Sequence, residues 1–198
     1  MLFGMQILRR SSFTAVPWKN GGGITHEAIR IPATGDTFRW RVSVARIEAS
    51  GPFSNFAGYQ RRMVLLRGSG VRLTFDGSHR QELRAVGDLA AFDGAVTTGC
   101  ELLDGPCTDF NLMVSDSLPR WTAAVESLRE PRELQSVQET LLVFPITGPV
   151  SLESLHGEST TLNEWDLAVL TPGDAAIVGP AAEGPPLVFL AVLDDNSL

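Results

Sequence analysis

Asp109-Phe110-Asn111-Leu112-Met113-Val114 and Leu187-Val188-Phe189-Leu190-Ala191-Val192 are two strand-like stretches that fall on each other when the chain is moved by 78 positions (187 against 109). The same move lays Leu65-Leu66 on Val143-Phe144, Gly70 on Gly148, and Asp88-Leu89-Ala90 on Asp166-Leu167-Ala168. Four separated matches at one gapless offset indicate two copies of one unit, roughly 60–115 and 138–195. The hairpin after Gly70 slips by one residue relative to Gly148, so the copies are not uniform.

Around these stretches, 19 glycines and 12 prolines cut the chain into short apolar runs, the pattern of all-β sandwiches and barrels. Strands are expected at 6–9, 25–31, 38–47, 61–67, 71–75, 81–86, 89–92, 100–103 and 110–114. A second series is expected at 122–125, 139–144, 150–155, 159–162, 166–170, 175–178 and 187–193. Segment 130–136 invites a helical reading, and 54–58 a single turn. Residues 5–58 would supply the remaining strands of the first copy.

The totals narrow the function. The 198 residues suit one large domain or two small ones, and 43% hydrophobic content supports a continuous core. A net charge of −7 repels a polyphosphate backbone, and no run of Lys or Arg offsets it, so nucleic acid is not expected as a partner. No stretch approaches the roughly 20 apolar residues that span a bilayer, and Arg9 and Arg10 follow the apolar start rather than preceding it as in a secretory signal. A cytoplasmic protein without a membrane partner is the expectation. The two cysteines, Cys100 and Cys107, flank a Gly105-Pro106 turn and are expected to be reduced thiols.

The two copies differ in one respect that bears on function. Side chains at i, i+2 and i+4 of a strand share a face. In the first copy, Phe110, Leu112 and Val114 form an apolar face, while Asp109, Asn111 and Met113 form the other. At the offset of 78 the positions matching the latter are Leu187, Phe189 and Ala191, all apolar. A buried polar face needs partners, so the first copy is expected to hold a ligand pocket and the second to support it. The alternative is that Asp109 caps a turn and Asn111 bonds to nearby backbone.

Chemistry concentrates in Pro17-Trp18-Lys19-Asn20-Gly21-Gly22-Gly23-Ile24-Thr25-His26-Glu27. Consecutive glycines let amides converge on an anion, Lys19 adds charge, Asn20 both donor and acceptor, and Trp18 a flat apolar wall. The alternative is a hairpin turn with an exposed lysine. Thr25 and Glu27 share a strand face that His26 does not. An inward Arg41 with Ser43 would suit a carboxylate, since guanidinium offers a two-pronged donor array. Of Arg61 and Arg62, at most one can line an interior. Three histidines, His26, His79 and His156, form no H-x-H pair, so no metal and no cofactor are expected. No G-x-S-x-G elbow appears. Glu27 and Asp109 could act as an acid/base pair if both face inward, or serve in internal ion pairs.

PWKNGGGITHE, RWRVSVARIEASGPFSNFAGYQR, GDLAAFDG and LLDGPCTDFNLMV resemble the successive motifs of the HutD/Ves family, strongly over about 15–115 and by spacing beyond 120. The resemblance implies an all-β bicupin, two tandem cupin-like jelly-roll barrels without the usual metal ligands. Residues 1–118 would form the barrel with the pocket, and 119–198 a degenerate one. It also implies association with histidine utilisation and binding of a small anionic metabolite such as formylglutamate. Its pattern marks Trp18, Lys19, Asn20, Gly21, Gly22, Thr25 and Glu27, then Arg41, Ser43, Phe53, Ser54, Gly58 and Arg61, then Asp109, Asn111 and Met113. His26 stands where the family often carries Arg or another polar residue, and no role is expected of it. The expectation is a ligand-sensing module. Its rivals are a metal-free isomerase or hydrolase, with Glu27 or Asp109 as base and Lys19 or Arg41 steadying charge, and an interaction scaffold that forms a homodimer through an open sheet edge.

Overall fold

The computed structural model describes residues 5–18, 23–155 and 157–195. In chain order its strands are β1 (Gln6–Leu8), β2 (Thr14–Pro17), β3 (Gly23–Ile31), β4 (Trp40–Ile47), β5 (Gly51–Pro52), β6 (Tyr59–Arg67), β7 (Val71–Phe75), β8 (His79–Leu83), β9 (Leu89–Asp93) and β10 (Thr98–Leu102). Then come β11 (Cys107–Ser115), β12 (Trp121–Ser127), β13 (Arg132–Gln135), β14 (Thr140–Pro145), β15 (Val150–Ser154), β16 (Ser159–Leu162), β17 (Leu167–Leu170), β18 (Ala175–Pro180) and β19 (Leu187–Leu193). The described residues contain no α-helix; one 3-10 turn spans Arg10–Ser12. The helix expected at 130–136 is strand β13, which pairs with β18. There Pro131 lacks a backbone donor, and only Leu134 of the strand turns inward, a period of two that the short window concealed.

The chain divides into two units, Phe13–Ser117 on one side and, on the other, the residues before Phe13 together with those from Leu118 onward. The expected division into 1–118 and 119–198 is therefore corrected at the N-terminus. Gln6, Ile7 and Leu8 pair with Val169, Ala168 and Leu167 of β17, so β1 belongs to the second unit's sheet. Three residues carry too little pattern to say which sheet edge they extend.

Each unit stacks two antiparallel sheets. The first has a six-stranded sheet, β2-β3-β4-β11-β6-β9, and a four-stranded one, β5-β10-β7-β8. The second has a five-stranded sheet, β1-β17-β14-β19-β12, and a four-stranded one, β13-β18-β15-β16. The expected closed barrels are not seen: the ladders among the described residues make four open sheets. Side chains between facing sheets, instead of a hydrogen-bonded seam, hold each unit together. In the first unit Ile47, Met63, Leu65, Val71, Leu73, Phe92 and Cys107 fill part of that space. In the second, Leu141, Val143, Val150, Leu152, Ala168, Val178 and Val188 do the same.

The order β4-β11-β6-β9 matches β12-β19-β14-β17, and β5-β10-β7-β8 matches β13-β18-β15-β16. Register refines the equivalence. Asn111 faces Met63, and Leu190 faces Val143. Met63 and Val143 both belong to their unit's interior. The positions matching Asp109, Asn111 and Met113 are thus Val188, Leu190 and Val192, and that matching Arg61 is Leu141. Leu187, Phe189 and Ala191, expected from the gapless offset, lie on the opposite face, because a one-residue slip inverts every side chain of a strand.

Candidate functional site

Three rows of side chains cross the inner face of the six-stranded sheet. Thr25, Ala45, Asp109 and Leu65 stand side by side on β3, β4, β11 and β6; Glu27, Ser43, Asn111 and Met63 form the next row; Arg30, Arg41, Met113 and Arg61 form the third. A bulge after Glu27 ends the regular alternation of β3. Between this face and the 52–56 loop lies a cavity of about 560 Å³.

Ten residues expected at a binding site line this cavity: Trp18, Thr25, Arg41, Ser43, Phe53, Ser54, Arg61, Asp109, Asn111 and Met113. Glu27 does not line it. Instead it accepts a hydrogen bond from Arg41 Nε at 2.6 Å and neutralises that cation, leaving it the ion-pair role. Gly58 turns the chain at φ +86°, a left-handed value that suits glycine, outside the cavity. Lys19, Asn20, Gly21 and Gly22 lie outside the described residues. Val16, Pro17, Ala45, Pro52 and Phe56 also line the cavity and were not anticipated. Ala45 could have been found, since it shares its face with Arg41 and Ser43. Phe56 sits in irregular chain and had no periodic signal.

The deepest polar group is a side-chain relay. Arg61 Nη2 donates to Asn111 Oδ1 at 2.9 Å, and Asn111 Nδ2 donates to Asp109 Oδ2. All three residues are buried. Asp109 therefore caps no turn, and Asn111 bonds to side chains. Two atoms of the relay, Arg61 Nε and Asp109 Oδ1, have no hydrogen-bond partner among the described residues. A buried, unpaired polar atom costs about 1–3 kcal/mol, more for a charged group, so a ligand that meets them gains in proportion.

Electrostatics follow from burial. Desolvation pulls Arg61 down to about 10, with Asp109 opposing and Arg41 assisting. Desolvation also raises Asp109 to about 7, against the opposing pull of Arg61 and the Asn111 hydrogen bond. Aromatic rings ease the confinement of Arg61: its Cζ lies 4.9 Å from the Phe92 ring centre, 5.2 Å from Phe53 and 5.8 Å from Phe56. Arg62, one residue on, lies on the opposite strand face. At the mouth, Trp18 donates from Nε1 to Thr25 Oγ1 at 2.8 Å and stands edge-on to Phe53. Gly23 permits this hairpin, since a Cβ there would meet Arg46 O at 2.3 Å and the Trp18 ring at 3.2 Å.

Cys100 and Cys107 are free and buried, and burial, aided by Asp109 and Cys107, pushes the Cys100 thiol up to about 12. Among the described residues no three His, Cys, Asp or Glu side chains converge. His79 stacks on Phe75 at 5.9 Å, and His26 lies on the face of β3 away from Thr25 and Glu27. Arg61, Asn111, Ser43 and Met113 occupy the interior positions instead, a set that does not fit a metal. No helix among the described residues is long and apolar enough to cross a membrane.

Comparison with known proteins places this geometry. A family model described as HutD matches residues 10–184. An uncharacterised 21.2 kDa protein from the hutC 3' region of Pseudomonas putida is 37% identical over 181 residues, 91% of this chain and 93% of that one. Protein Ves of Escherichia fergusonii is 34% identical over 97 residues, 48% of this chain and 50% of its own. A conserved protein of unknown function from Pseudomonas aeruginosa PAO1 superimposes with a TM-score of 0.87 at 34% identity, covering 96% of this chain and 99% of its own. HutD from Pseudomonas fluorescens SBW25, in a formate condition, gives 0.78 at 32%, covering 96% and 98%. At 9% identity, an oxalate decarboxylase from Lactobacillus farciminis gives 0.66 over 96% of this chain and 86% of its own, a likeness of fold alone that marks the architecture as cupin-like. The chain belongs to the HutD family.

Proposed function

We propose that this chain is a small-molecule-binding bicupin, a sensor or regulator associated with histidine utilisation that takes an anionic intermediate such as formylglutamate into the first unit's cavity. The observation that carries the reading is the relay Arg61–Asn111–Asp109, buried on the cavity wall with a donor and an acceptor atom unspent. A packing role would not keep such groups at positions where the second unit has Leu141, Leu190 and Val188. Arg41 is matched by Glu27, whereas Arg61 lines the cavity with its Nε donor unspent, a cation among the described residues that can meet a carboxylate. Trp18, Phe53 and Phe56 supply apolar walls for the rest of a small metabolite.

Calorimetry with formylglutamate, formiminoglutamate, urocanate and glutamate tests this. Saturable binding of at least one anion that is lost in Arg61→Leu is expected, and silence with all four overturns it. A second reading, a metal-free isomerase or hydrolase, draws on Asp109, whose buried carboxyl titrates near neutrality as a general acid–base must. NMR of the same mixtures separates the two: unchanged ligand signals over hours fit the sensor, and conversion that stops in Asp109→Asn establishes the enzyme.

A further inference from the structure

The polarity of the relay determines how an anion is received. Arg61 donates to Asn111, and Asn111 donates onward, so Asp109 Oδ2 is an acceptor in the chain. Asp109 Oδ1 then carries whatever proton the carboxyl holds, and it is buried with no partner among the described residues. An ionised Asp109 would place its charge against an incoming anion. A protonated one offers an O–H donor beside the guanidinium.

Resting on the anion-binding reading above, we propose that Asp109 joins the complex as a neutral carboxylic acid that donates a hydrogen bond to the bound carboxylate, so that above neutral pH each anion captured brings a proton from solvent into the cavity. The proton resides on Oδ1, and no covalent bond changes. The charge count on the cavity wall supports this. Arg41 is matched by Glu27 at 2.6 Å; Arg61 can balance either Asp109 or a ligand carboxylate, and protonating Asp109 frees it for the ligand.

The charged and titratable groups on the face of Asp109 and across from it, among the described residues, are Arg61 of β6, Arg41 of β4, Glu27 and Arg30 of β3, which stand 4.0 Å apart, and the thiols of Cys100 on β10 and Cys107 on β11. Arg46 and Arg62 lie on the opposite strand faces, and Arg67 is exposed. Of these groups, Asp109 is the one that burial raises to about 7. Asp109 is therefore the group through which neutral pH would reach the ligand.

The test is calorimetry of the full chain with formate and with formylglutamate, both ionised above pH 6, at pH 6, 7, 8 and 8.5 in two buffers of different ionisation enthalpy. Binding is expected to weaken about tenfold per unit above pH 7, with uptake of nearly one proton per anion at pH 8. In Asp109→Asn the amide keeps its oxygen for Asn111 and offers N–H to the ligand, so proton uptake vanishes and affinity at pH 8 rises about tenfold over the unsubstituted protein. Binding with a flat pH profile and no proton uptake overturns this proposal and leaves the anion site standing. No binding of either probe at pH 6 overturns both. Should Asp109→Asn not fold, the proton count of the unsubstituted protein decides alone.

Discussion

The two units use one strand order to build different interiors. In the first, β6 and β11 aim Arg61, Asn111 and Asp109 at a cavity of about 560 Å³. In the second, β14 and β19 put Leu141, Leu190 and Val188 at the same register positions. The hollow that Leu134, Leu141 and Leu190 help to line there is about 180 Å³, with an Arg132–Glu126 ion pair at 2.9 Å beside it. At three matched positions, then, polar side chains on a cavity in one unit answer to apolar side chains in the other. The lesson is that the fold does not require the cavity: the duplicate shows a leucine-lined version of the same sheet.

The comparison can be broken most severely by moving the first unit's chemistry into the second. Val188 is fully buried among apolar neighbours. Val188→Asp sets a carboxyl there without an Arg61 or Asn111, and the expected loss is about 3–5 kcal/mol in urea denaturation. A loss under 1 kcal/mol would mean that the two interiors are not distinguished by polar partners.

The reverse transplant is milder. Asn111→Leu leaves Arg61 Nη2 and Asp109 Oδ2 without their shared partner, and about 1–3 kcal/mol is expected to be lost. The triple substitution Arg61→Leu, Asn111→Leu and Asp109→Val, which copies the second unit, is expected to recover most of that loss while abolishing anion binding. Urea denaturation of the unsubstituted protein, Asn111→Leu and the triple variant measures the recovery. If the triple variant is less stable than Asn111→Leu alone, the relay contributes to packing as well as to binding.

The remaining effect is a slope, small over any one pH unit. Asp109 binds its proton more tightly folded, at about 7, than unfolded, at the ordinary 3.8. Between those values the folded chain holds the extra proton, so stability falls as pH rises from about 4 to about 7 and is level in this respect above that. The slope from one proton is at most about 1.4 kcal/mol per pH unit. Denaturation at pH 5, 6, 7 and 8, with Asp109→Asn alongside, isolates it: the difference between the two proteins is expected to grow up to pH 7 and then level.

Much of the site was legible because strands alternate. Once β4, β6 and β11 were recognised, placing Ser43 with Arg41, and Asn111 with Asp109, was a matter of counting by two. Strand β2, the two-residue β5 and the 52–56 loop carried no such period, and with them Val16, Pro17, Pro52 and Phe56 went unseen. Glu27 was placed on the right face, yet that face alone did not say whether it met a ligand or Arg41.

From the chain itself came the duplication, the all-β class, the family, and the contrast between a polar and an apolar copy, because apolar periodicity and turn residues are local properties. Only the folded protein decided the register of β19 against β14, the edge that β1 joins, and the direction of the Arg61–Asn111–Asp109 relay. These depend on pairings between residues far apart in sequence, where a slip of one position reverses a whole strand face.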